Sequence, residues 1–367
     1  MRESLRLGRV LGIPVGISWT LLLVVGLLTY DLAIGLPGGA TAAAIAVAGG
    51  AAVIFFASVL LHELAHSVVA RHYGLRIDGI TLWLLGGVAR LDGEVPSARA
   101  EFGIAIAGPA TSAVLALGFG GLTLAASALG LPAVVTNALG WLAVINAVVA
   151  VFNLAPAAPL DGGRVLSAAL WAFRHDRDRA RLGAARTGRV FGWLLIGFGV
   201  ASFVTGAGLL GLWPALLGWF VLSLADAEAR FYRLRIAAQG RTVRDVMTPV
   251  TGGLPGWLTV DGFLPEVEGL GTGPFLVDRW DGGPGGIVSL DTLRAVPPEA
   301  RSHTRVLDLA VPTAAWGSAA AGEDLVTAWA RANGPRPGLL VHEEGRVVGI
   351  VTPEHLRRGA GTPTAAV

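Results

Sequence analysis

Long apolar stretches with few charged residues fill most of the first 235 positions of this 367-residue chain. A helical stretch of about 20 apolar residues matches the hydrocarbon thickness of a bilayer. The pattern therefore predicts about six transmembrane helices, the first of them retained because no small-residue cleavage site follows it. The predicted segments run from Ile13 to Leu36, Ala42 to Val69, Phe102 to Leu129, Val134 to Leu154, Val190 to Phe203 with its continuation, and Leu209 to Ala225.

A shorter apolar segment, Ile77 to Asp92, lies between the second and third predicted helices. It is too short to span a bilayer, and two glycines, Gly86 and Gly87, stand near its centre. In a membrane its backbone groups would need partners from protein or water. We therefore expect a re-entrant, β-hairpin-like loop at this point of the chain.

The basic residues, all of them arginine, gather in alternate loops of the apolar region. Cytoplasmic loops of membrane proteins carry an excess of basic residues. The sequence therefore predicts a multi-pass cell-membrane protein with both termini in the cytoplasm. The arginine clusters lie at positions 2–9, 71–76, 174–189 and 230–235, whereas the loops around 31–41, 126–132 and 205–212 contain none.

The composition agrees with a membrane setting. Apolar residues make up 53% of the chain and charged residues 15%, with a mean hydropathy of +0.63, which is high for a soluble protein. The arginines flank apolar segments, so they indicate contact with the membrane surface rather than with nucleic acid. Cysteine is absent, so any metal must be held by His, Asp or Glu.

The second apolar segment contains three ionisable residues in the stretch "SVLLHELAHSVVARHYG" (58–74). An ionisable side chain at the membrane centre costs about 2.5 to 3.5 kcal/mol on an insertion scale, so a functional reason is expected. In a helix, His62 and His66 lie one turn apart on one face, with Glu63 beside them. This spacing is typical of zinc sites in which the glutamate accepts the proton of the attacking water. The alternative is a pair of histidines hydrogen-bonded to neighbouring helices.

The depth of this motif in the membrane follows from Arg71, which we take as the cytoplasmic edge of the helix. His62 lies nine residues before it, or about 14 Å at the helical rise of 1.5 Å per residue. The sequence therefore places the metal inside the membrane, nearer the cytoplasm.

A catalytic zinc needs a third protein ligand, and the end of the fourth segment, "NLAPAAPLDGGRVL" (153–166), supplies Asp161. The two prolines of this stretch end the helix, and Gly162 and Gly163 allow a sharp turn. The predicted topology puts this end on the side of His62 and His66. A surface turn is the alternative reading.

Asn153 stands at the end of the same predicted helix, seven residues after Asn146 and thus on the same face. An asparagine in an apolar helix often joins helices by hydrogen bonds. The amide of Asn153 could instead stabilise an oxyanion at a scissile carbonyl.

Together these motifs resemble those of the site-2 protease family of intramembrane zinc metalloproteases. "HELAH" and the later N-x-x-P-x-x-P-L-D-G-G run occur in the family's order and on predicted membrane helices, and "AGPATS" (107–112) is a weaker match. The resemblance covers about Ile13 to Leu224. It implies one zinc ion per chain held by His62, His66 and Asp161. It further implies Glu63 as catalytic base and Asn153 as a helper of substrate or oxyanion binding.

The same resemblance implies a substrate and a role. Members of the family cut a transmembrane helix of a partner protein in the lipid bilayer, and in this way free a membrane-held regulator or degrade an anti-sigma factor. A single-span membrane protein is therefore the expected substrate.

The last 127 residues, 241–367, contain two similar units offset by about 63 residues. "RTVRDVMTP" leads to "GGIVSLDTLRA", and "TRVLDLAVP" leads to "VVGIVTPEHLRR". The units, at about 241–296 and 304–358, resemble a pair of cystathionine β-synthase-type (CBS) domains, which commonly bind adenine nucleotides. The family often has an Asp for the ribose where this chain has Thr292 and His355, while Asp291 and Glu354 come one residue early. Two readings therefore stay open: a pair that binds adenine nucleotides, and a purely structural pair or one that joins two chains as a homodimer.

The predicted fold class is a polytopic α-helical membrane protein followed by a soluble α/β CBS-domain pair. Residues 1–235 form the membrane-embedded metalloprotease domain and residues 241–367 the CBS pair. Two other functions remain open: a CBS-regulated membrane transporter, and a metal-binding scaffold without protease activity. The chain lacks the inverted repeat of broken helices that many transporters have, and a scaffold would leave Glu63 without a role.

Overall fold

The computed structural model describes residues 5–36, 41–83, 86–250, 253–267, 269–270, 274–331, 338–353 and 355. The chain separates into two compact units, Met1–Tyr232 and Arg233–Val367. The first unit combines long helices with one small sheet. Its elements are β1 (Leu5–Val10), β2 (Ile13–Ile17), α1 (Trp19–Gly35), α2 (Ala42–His72), β3 (Arg76–Trp83), β4 (Gly86–Asp92), α3 (Ala98–Ala128), α4 (Ala133–Asn153), α5 (Asp161–Arg174), α6 (Arg177–Ser202) and α7 (Trp213–Ala238), which continues into the second unit.

Four helices among the described residues are long and apolar enough to cross a membrane: α2, α3, α4 and the stretch 177–206 that begins with α6. Helix α1 is apolar but has only 17 residues, or about 26 Å at 1.5 Å per residue. Helix α7 carries Asp226, Glu228 and Arg230 in its second half. The structure thus supports a multi-pass protein, and four of the six predicted spans meet these limits of length and apolarity among the described residues.

The first predicted segment was wrong at its start, because Ile13–Ile17 is strand β2 rather than helix. The segment contains two isoleucines and a valine, whose branched Cβ atoms favour strands. It pairs with β1 on one side and in parallel with β3 on the other, where Val15 lies opposite Ile80. Helix α1 begins only after Ser18, whose hydroxyl accepts a hydrogen bond from the backbone of Thr20.

The segment predicted as a hairpin-like loop forms the antiparallel pair β3 and β4, which closes with Trp83 opposite Gly86. The four-stranded sheet has the order β1-β2-β3-β4, so β4 lies at an edge. Its apolar face packs on α2, where Ile80 and Leu82 join a cluster with Phe56 and Leu64. The sheet therefore lies beside the part of α2 that carries the two histidines.

Helix α5 (Asp161–Arg174) was not predicted, since the sequence indicated only a turn at this point. Its start packs closely on the preceding loop. A Cβ atom at Gly162 would overlap backbone atoms of Leu154 and Ala155, and one at Gly163 would overlap those of Ala157 and Ala158. The two glycines thus allow the loop and helix to approach each other, which sets the position of Asp161.

The second unit consists of two sheets with short helices. Their elements are β5 (Thr248–Pro249), β6 (Leu254–Pro255), α8 (Val260–Val267), β7 (Phe275–Asp278), β8 (Pro284–Val288), α9 (Leu290–Arg294), α10 (Pro298–Arg301), α11 (Val306–Leu309), β9 (Val311–Pro312), β10 (Gly317–Ala320), α12 (Leu325–Arg331), β11 (Leu339–Glu343) and β12 (Arg346–Val351).

The two sheets of this unit have the same design. The strand orders are β6-β7-β8-β9 and β10-β11-β12-β5, each with one parallel pair followed by two antiparallel pairs. The last strand of each sheet comes from the opening of the other repeat: β9 pairs with β8, and β5 pairs with β12. The two repeats therefore exchange their opening strands.

Candidate metal centre

Helix α2 places the two histidines of "HELAH" on its inner face. Both side chains are buried, with 4% of His62 and 7% of His66 exposed. Their Nε2 atoms lie 3.2 Å apart. The helical spacing predicted from the sequence therefore brings the two rings together, as an i and i+4 pair requires.

The start of α5 brings Asp161 to the same point. Its Oδ2 atom lies 3.1 Å from His62 Nε2 and 3.2 Å from His66 Nε2. One donor atom from each of the three residues falls within 4.8 Å of the others. Residues separated by nearly one hundred positions in the sequence thus form one compact group.

Helix α3 orients both imidazole rings through contacts with their Nδ1 atoms. His66 Nδ1 lies 2.6 Å from the carbonyl oxygen of Ile104, and since a carbonyl only accepts, this nitrogen donates. His62 Nδ1 lies 2.9 Å from Ser112 Oγ. A histidine that donates through Nδ1 presents the lone pair of Nε2, which is the usual arrangement behind a metal ligand.

The resulting donor set fits a cation. Two Nε2 lone pairs and a carboxylate oxygen would repel one another at these distances unless positive charge lay among them. Two imidazoles, one carboxylate and an open fourth position also match the ligand types of catalytic zinc sites. Gly108 of α3 forms the wall beside the group, because a Cβ atom there would overlap the Nε2 atoms of both histidines.

Glu63 lies beside this group and is partly buried. It faces strand β4, since a Cβ atom at Gly87 would overlap its side chain. The Gly-Gly pair of the hairpin therefore provides the space that the Glu63 carboxylate occupies. The position leaves Glu63 next to the candidate metal ligands without being one of the three.

Asn153 lies at the end of α4 and lines the same cavity as these residues. Its Nδ2 atom donates to the carbonyl of Val149, at 3.0 Å, in its own helix. One of its two amide hydrogens is therefore already used. Asn146, two helical turns earlier in α4, is buried and does not line the cavity. Its Nδ2 atom donates to the carbonyl of Leu142 at 2.8 Å.

The cavity has a volume of about 720 Å³. Most of its lining is apolar and comes from α1, α2, α4 and α7, with Gly86, Gly87 and Ala89 from β4. The polar lining consists of His62, Glu63, His66, Ser67, Asn153, Asp161 and Arg164. The candidate metal group thus faces an apolar space large enough for a peptide segment.

A buried ion-pair network lies at the start of α3. Glu101 is fully buried, and Arg181 Nη2 of α6 lies 2.6 Å from its Oε1. Arg181 also pairs with Glu228 of α7 at 3.6 Å, and Arg177 pairs with Glu94 at 3.1 Å. The network joins α3, which orients the histidines, to α6 and α7.

Sequence reasoning missed Ile104, Ser112 and this network. Ser112 and Gly108 lie in "AGPATS", which was noted only as a weak motif, so a signal for them was present. Ile104 contributes a backbone carbonyl, which leaves no signal in a side-chain pattern. The network pairs charges from separate helices, and only the fold brings them together.

Comparison with known proteins places these features in a family. Residues 50–138 and 120–195 match the family model Peptidase family M50. The chain belongs to this family and is a zinc metallopeptidase of the site-2 protease type, a multi-pass membrane enzyme that acts on membrane proteins in the bilayer. The resemblance of the membrane domain to the site-2 protease family is therefore confirmed.

Individual relatives are similar over most of the chain. Rip3 from Mycobacterium tuberculosis, which is named as a zinc metalloprotease, is 41% identical over 365 residues, or 98% of this chain and 93% of the relative. The solved site-2 protease from Methanocaldococcus jannaschii is 30% identical and covers 62% of this chain and 95% of its own, with a TM-score of 0.43. The CBS domain of a bacterial CNNM/CorC family Mg²⁺ transporter is 17% identical, covers 39% of this chain and 93% of its own, and gives a TM-score of 0.28.

Proposed function

We propose that this protein hydrolyses a peptide bond within or near the transmembrane helix of a single-span membrane protein, as a step of regulated intramembrane proteolysis. An anti-sigma factor or another membrane-held regulator is the kind of substrate we expect. The observation that carries the proposal is the convergence of His62, His66 and Asp161 beside Glu63, at the wall of an apolar cavity.

Each polar residue of this site receives a role. His62, His66 and Asp161 hold one zinc ion, with Ser112 and Ile104 fixing the two rings. Zinc, when bound, polarises a peptide carbonyl and makes water more acidic. Glu63 accepts the proton of the attacking water and returns it to the leaving amine. Asn153 contributes its remaining amide hydrogen to the substrate or to the oxyanion.

The substrate must be extended before it is cut, because a helix hides its carbonyl groups in backbone hydrogen bonds. Strand β4 supports a means of extension, since it is an edge strand and its Gly86 and Gly87 line the cavity beside Glu63. An extended segment could add to this edge by β-augmentation. We infer that the hairpin presents the substrate backbone to the site as a re-entrant element of the membrane domain.

The orientation follows from the arginine distribution, which supports both termini in the cytoplasm. Water then reaches the site from the cytoplasmic side. We propose further that residues 241–367 form a CBS-type pair, and the exchanged strands of its two sheets support a tightly joined pair. Such a pair could join two copies of the chain as a homodimer.

The experiment is co-expression of the full chain with single-span membrane proteins of the same cell, followed by immunoblotting for a truncated product. Glu63→Gln is the test variant, because it keeps the size of the side chain and removes the base. Arg174→Gln, at the exposed end of α5, is the matched control. A truncated product that forms with the native chain and the control but not with Glu63→Gln supports the proposal. A product that persists at full yield with Glu63→Gln contradicts it.

A further inference from the structure

Arg164 is a cationic residue in the wall of the cavity, and the proposed hydrolysis gives it no role. It stands three residues after Asp161 on α5, so both side chains lie on one face of that helix. Both line the cavity together with Glu63. Arg164 is the one arginine among the described residues that line it.

The guanidinium of Arg164 forms neither a hydrogen bond nor an ion pair within the described part of the chain. The carboxylates of Asp161, Glu101 and Glu228 attract its charge only from a longer distance. Two nearby arginines behave differently, since Arg177 and Arg181 are paired with glutamates. Arginine stays protonated in proteins, and a buried charged group whose N–H donors lack acceptors is unfavourable. The arrangement therefore points to an oxygen-bearing occupant of the cavity.

The neighbouring carboxylates, Asp161, Glu63, Glu101 and Glu228, attract this charge but accept no hydrogen bond from Arg164 in the described part of the chain. Asp161 directs Oδ2 to the two histidines, at 3.1 and 3.2 Å, and Glu63 lies against Gly87 of the hairpin. Asn153, the other donor near the site, already donates one hydrogen within α4. Arg164 is thus the strongest hydrogen-bond donor that the cavity offers to a ligand.

We propose that Arg164 is a substrate-binding residue that holds the carbonyl oxygen of the peptide segment to be cut. In hydrolysis, the C–N bond breaks, the hydroxyl of water joins the carbonyl carbon and its proton passes to the amine. The N-terminal fragment then ends in a carboxylate, which Arg164 binds through charge-assisted hydrogen bonds. This inference rests on the proposed function, because it assigns the substrate carbonyl to this cavity.

The test is a binding measurement that does not require turnover. The probes are acetyl-Leu-Ala-Leu-Ala with a free C-terminal carboxylate and the same peptide as its amide, titrated into the full chain in detergent. Glu63→Gln serves as the background, so that neither peptide is processed. Arg164→Gln, Arg164→Lys and Arg174→Gln are compared in that background, and the zinc content of each is measured.

We expect the acid to bind more tightly than the amide, and Arg164→Gln to reduce this preference by about ten- to a hundredfold. Arg164→Lys should retain part of the preference, and Arg174→Gln all of it. Failure of the acid to bind better than the amide, or a preference that Arg164→Gln leaves unchanged at equal zinc content, overturns the inference.

A second readout separates this inference from the proposed function. If the native chain cleaves a membrane substrate and Arg164→Gln leaves kcat and KM unchanged, the role of Arg164 is rejected while the protease function stands. If the native chain and Glu63→Gln both fail to cleave while the acid preference depends on Arg164, the proposed function is rejected and the binding site stands.

Discussion

Ser112 Oγ lies 2.9 Å from His62 Nδ1, on the side of the ring that faces away from Asp161. The contact joins α3 to α2 across 50 positions of the sequence. It orients the plane of the imidazole, so that Nε2 faces the candidate metal position. Helix α3 therefore orients two of the candidate ligands, although it contributes none itself.

We predict that Ser112→Ala lowers zinc affinity by about ten- to a hundredfold, the usual effect of removing a hydrogen bond behind a metal-bound histidine. Thr111→Val is the matched control, since the Thr111 hydroxyl bonds only to Ala107 in its own helix, at 2.9 Å. Competition with a chromogenic zinc chelator measures both. Equal losses in the two variants would assign the effect to α3 in general rather than to Ser112.

The ligand assignment predicts about one zinc per purified chain, because three protein ligands and one open position complete a tetrahedral site. The His62→Ala, His66→Ala double variant should lose most of the metal. Glu63→Gln should keep it and lose cleavage. Elemental analysis of the purified proteins gives the zinc content, and full retention by the double variant would refute the assignment.

The buried pair of Glu101 and Arg181 predicts a large effect on stability. Glu101→Gln leaves the Arg181 guanidinium buried without its closest partner, which lies at 2.6 Å. Breaking a buried pair from one side costs about 3 to 5 kcal/mol. Thermal unfolding in detergent should therefore show a clear loss for this variant.

Glu94→Gln provides the comparison for Glu101→Gln, because the side chain of Glu94 is 61% exposed in its pair with Arg177. An exposed pair contributes about 0 to 1 kcal/mol. A similar change in melting temperature for both variants would show that the network does not stabilise the α3–α6 packing as inferred.

Orientation in the membrane can be tested with reporter fusions. Fusions after Arg76, Arg181 and Arg241 should report the cytoplasm, and fusions at Gly130 and Gly208 the opposite side, because arginine is confined to alternate loops. Gly130 ends the turn between α3 and α4, and Gly208 lies between α6 and α7. A cytoplasmic signal at Gly130 would disprove this orientation.

We expect the C-terminal pair of repeats to bind ATP, ADP and AMP weakly or not at all. Thr292 stands where a carboxylate would hold the ribose, and its hydroxyl bonds to Ser289 at 2.8 Å. His355 Nδ1 accepts from the Thr352 backbone at 3.2 Å, so Nε2 donates to Thr248 at 2.9 Å. Of the two shifted carboxylates, Asp291 is exposed and Glu354 lies outside the described residues.

Calorimetry on the full chain in detergent checks this expectation with each nucleotide in turn. The native chain should give no micromolar dissociation constant. Thr292→Asp should gain about ten- to a hundredfold in affinity, the effect of one charge-assisted hydrogen bond. Micromolar binding by the native chain would show that the pair binds nucleotides without aspartates at these two positions.

The sequence predicted which residues meet at the candidate metal centre, because the chemistry of a metal site fixes the spacing of its ligands. Two histidines one helical turn apart and an Asp in a Pro-Gly context are local patterns, and the structure brings all three together. The hairpin was also predictable, since its short length and its glycines exclude a span.

Other features depend on tertiary contacts that a single sequence does not show. Residues 13–17 form a strand because β1 and β3 pair with them on both sides. Helix α5 was missed because its Gly-Gly start indicated a turn, whereas those glycines serve close packing on the loop before it. The predicted spans at α1 and α7 stay predictions, because α1 has only 17 residues and α7 carries charges in its second half.

The strand exchange in the second unit sets an order for its completion on the ribosome. Strand β5 leaves the ribosome roughly 100 residues before its partner β12, so domain-wise folding during synthesis cannot finish with the first repeat. The first sheet likewise waits for β9, which belongs to the second repeat. Loss of either repeat would remove three strands from one sheet and the exchanged strand from the other, which would leave an open edge. Each sheet is therefore complete only when both repeats have been synthesised.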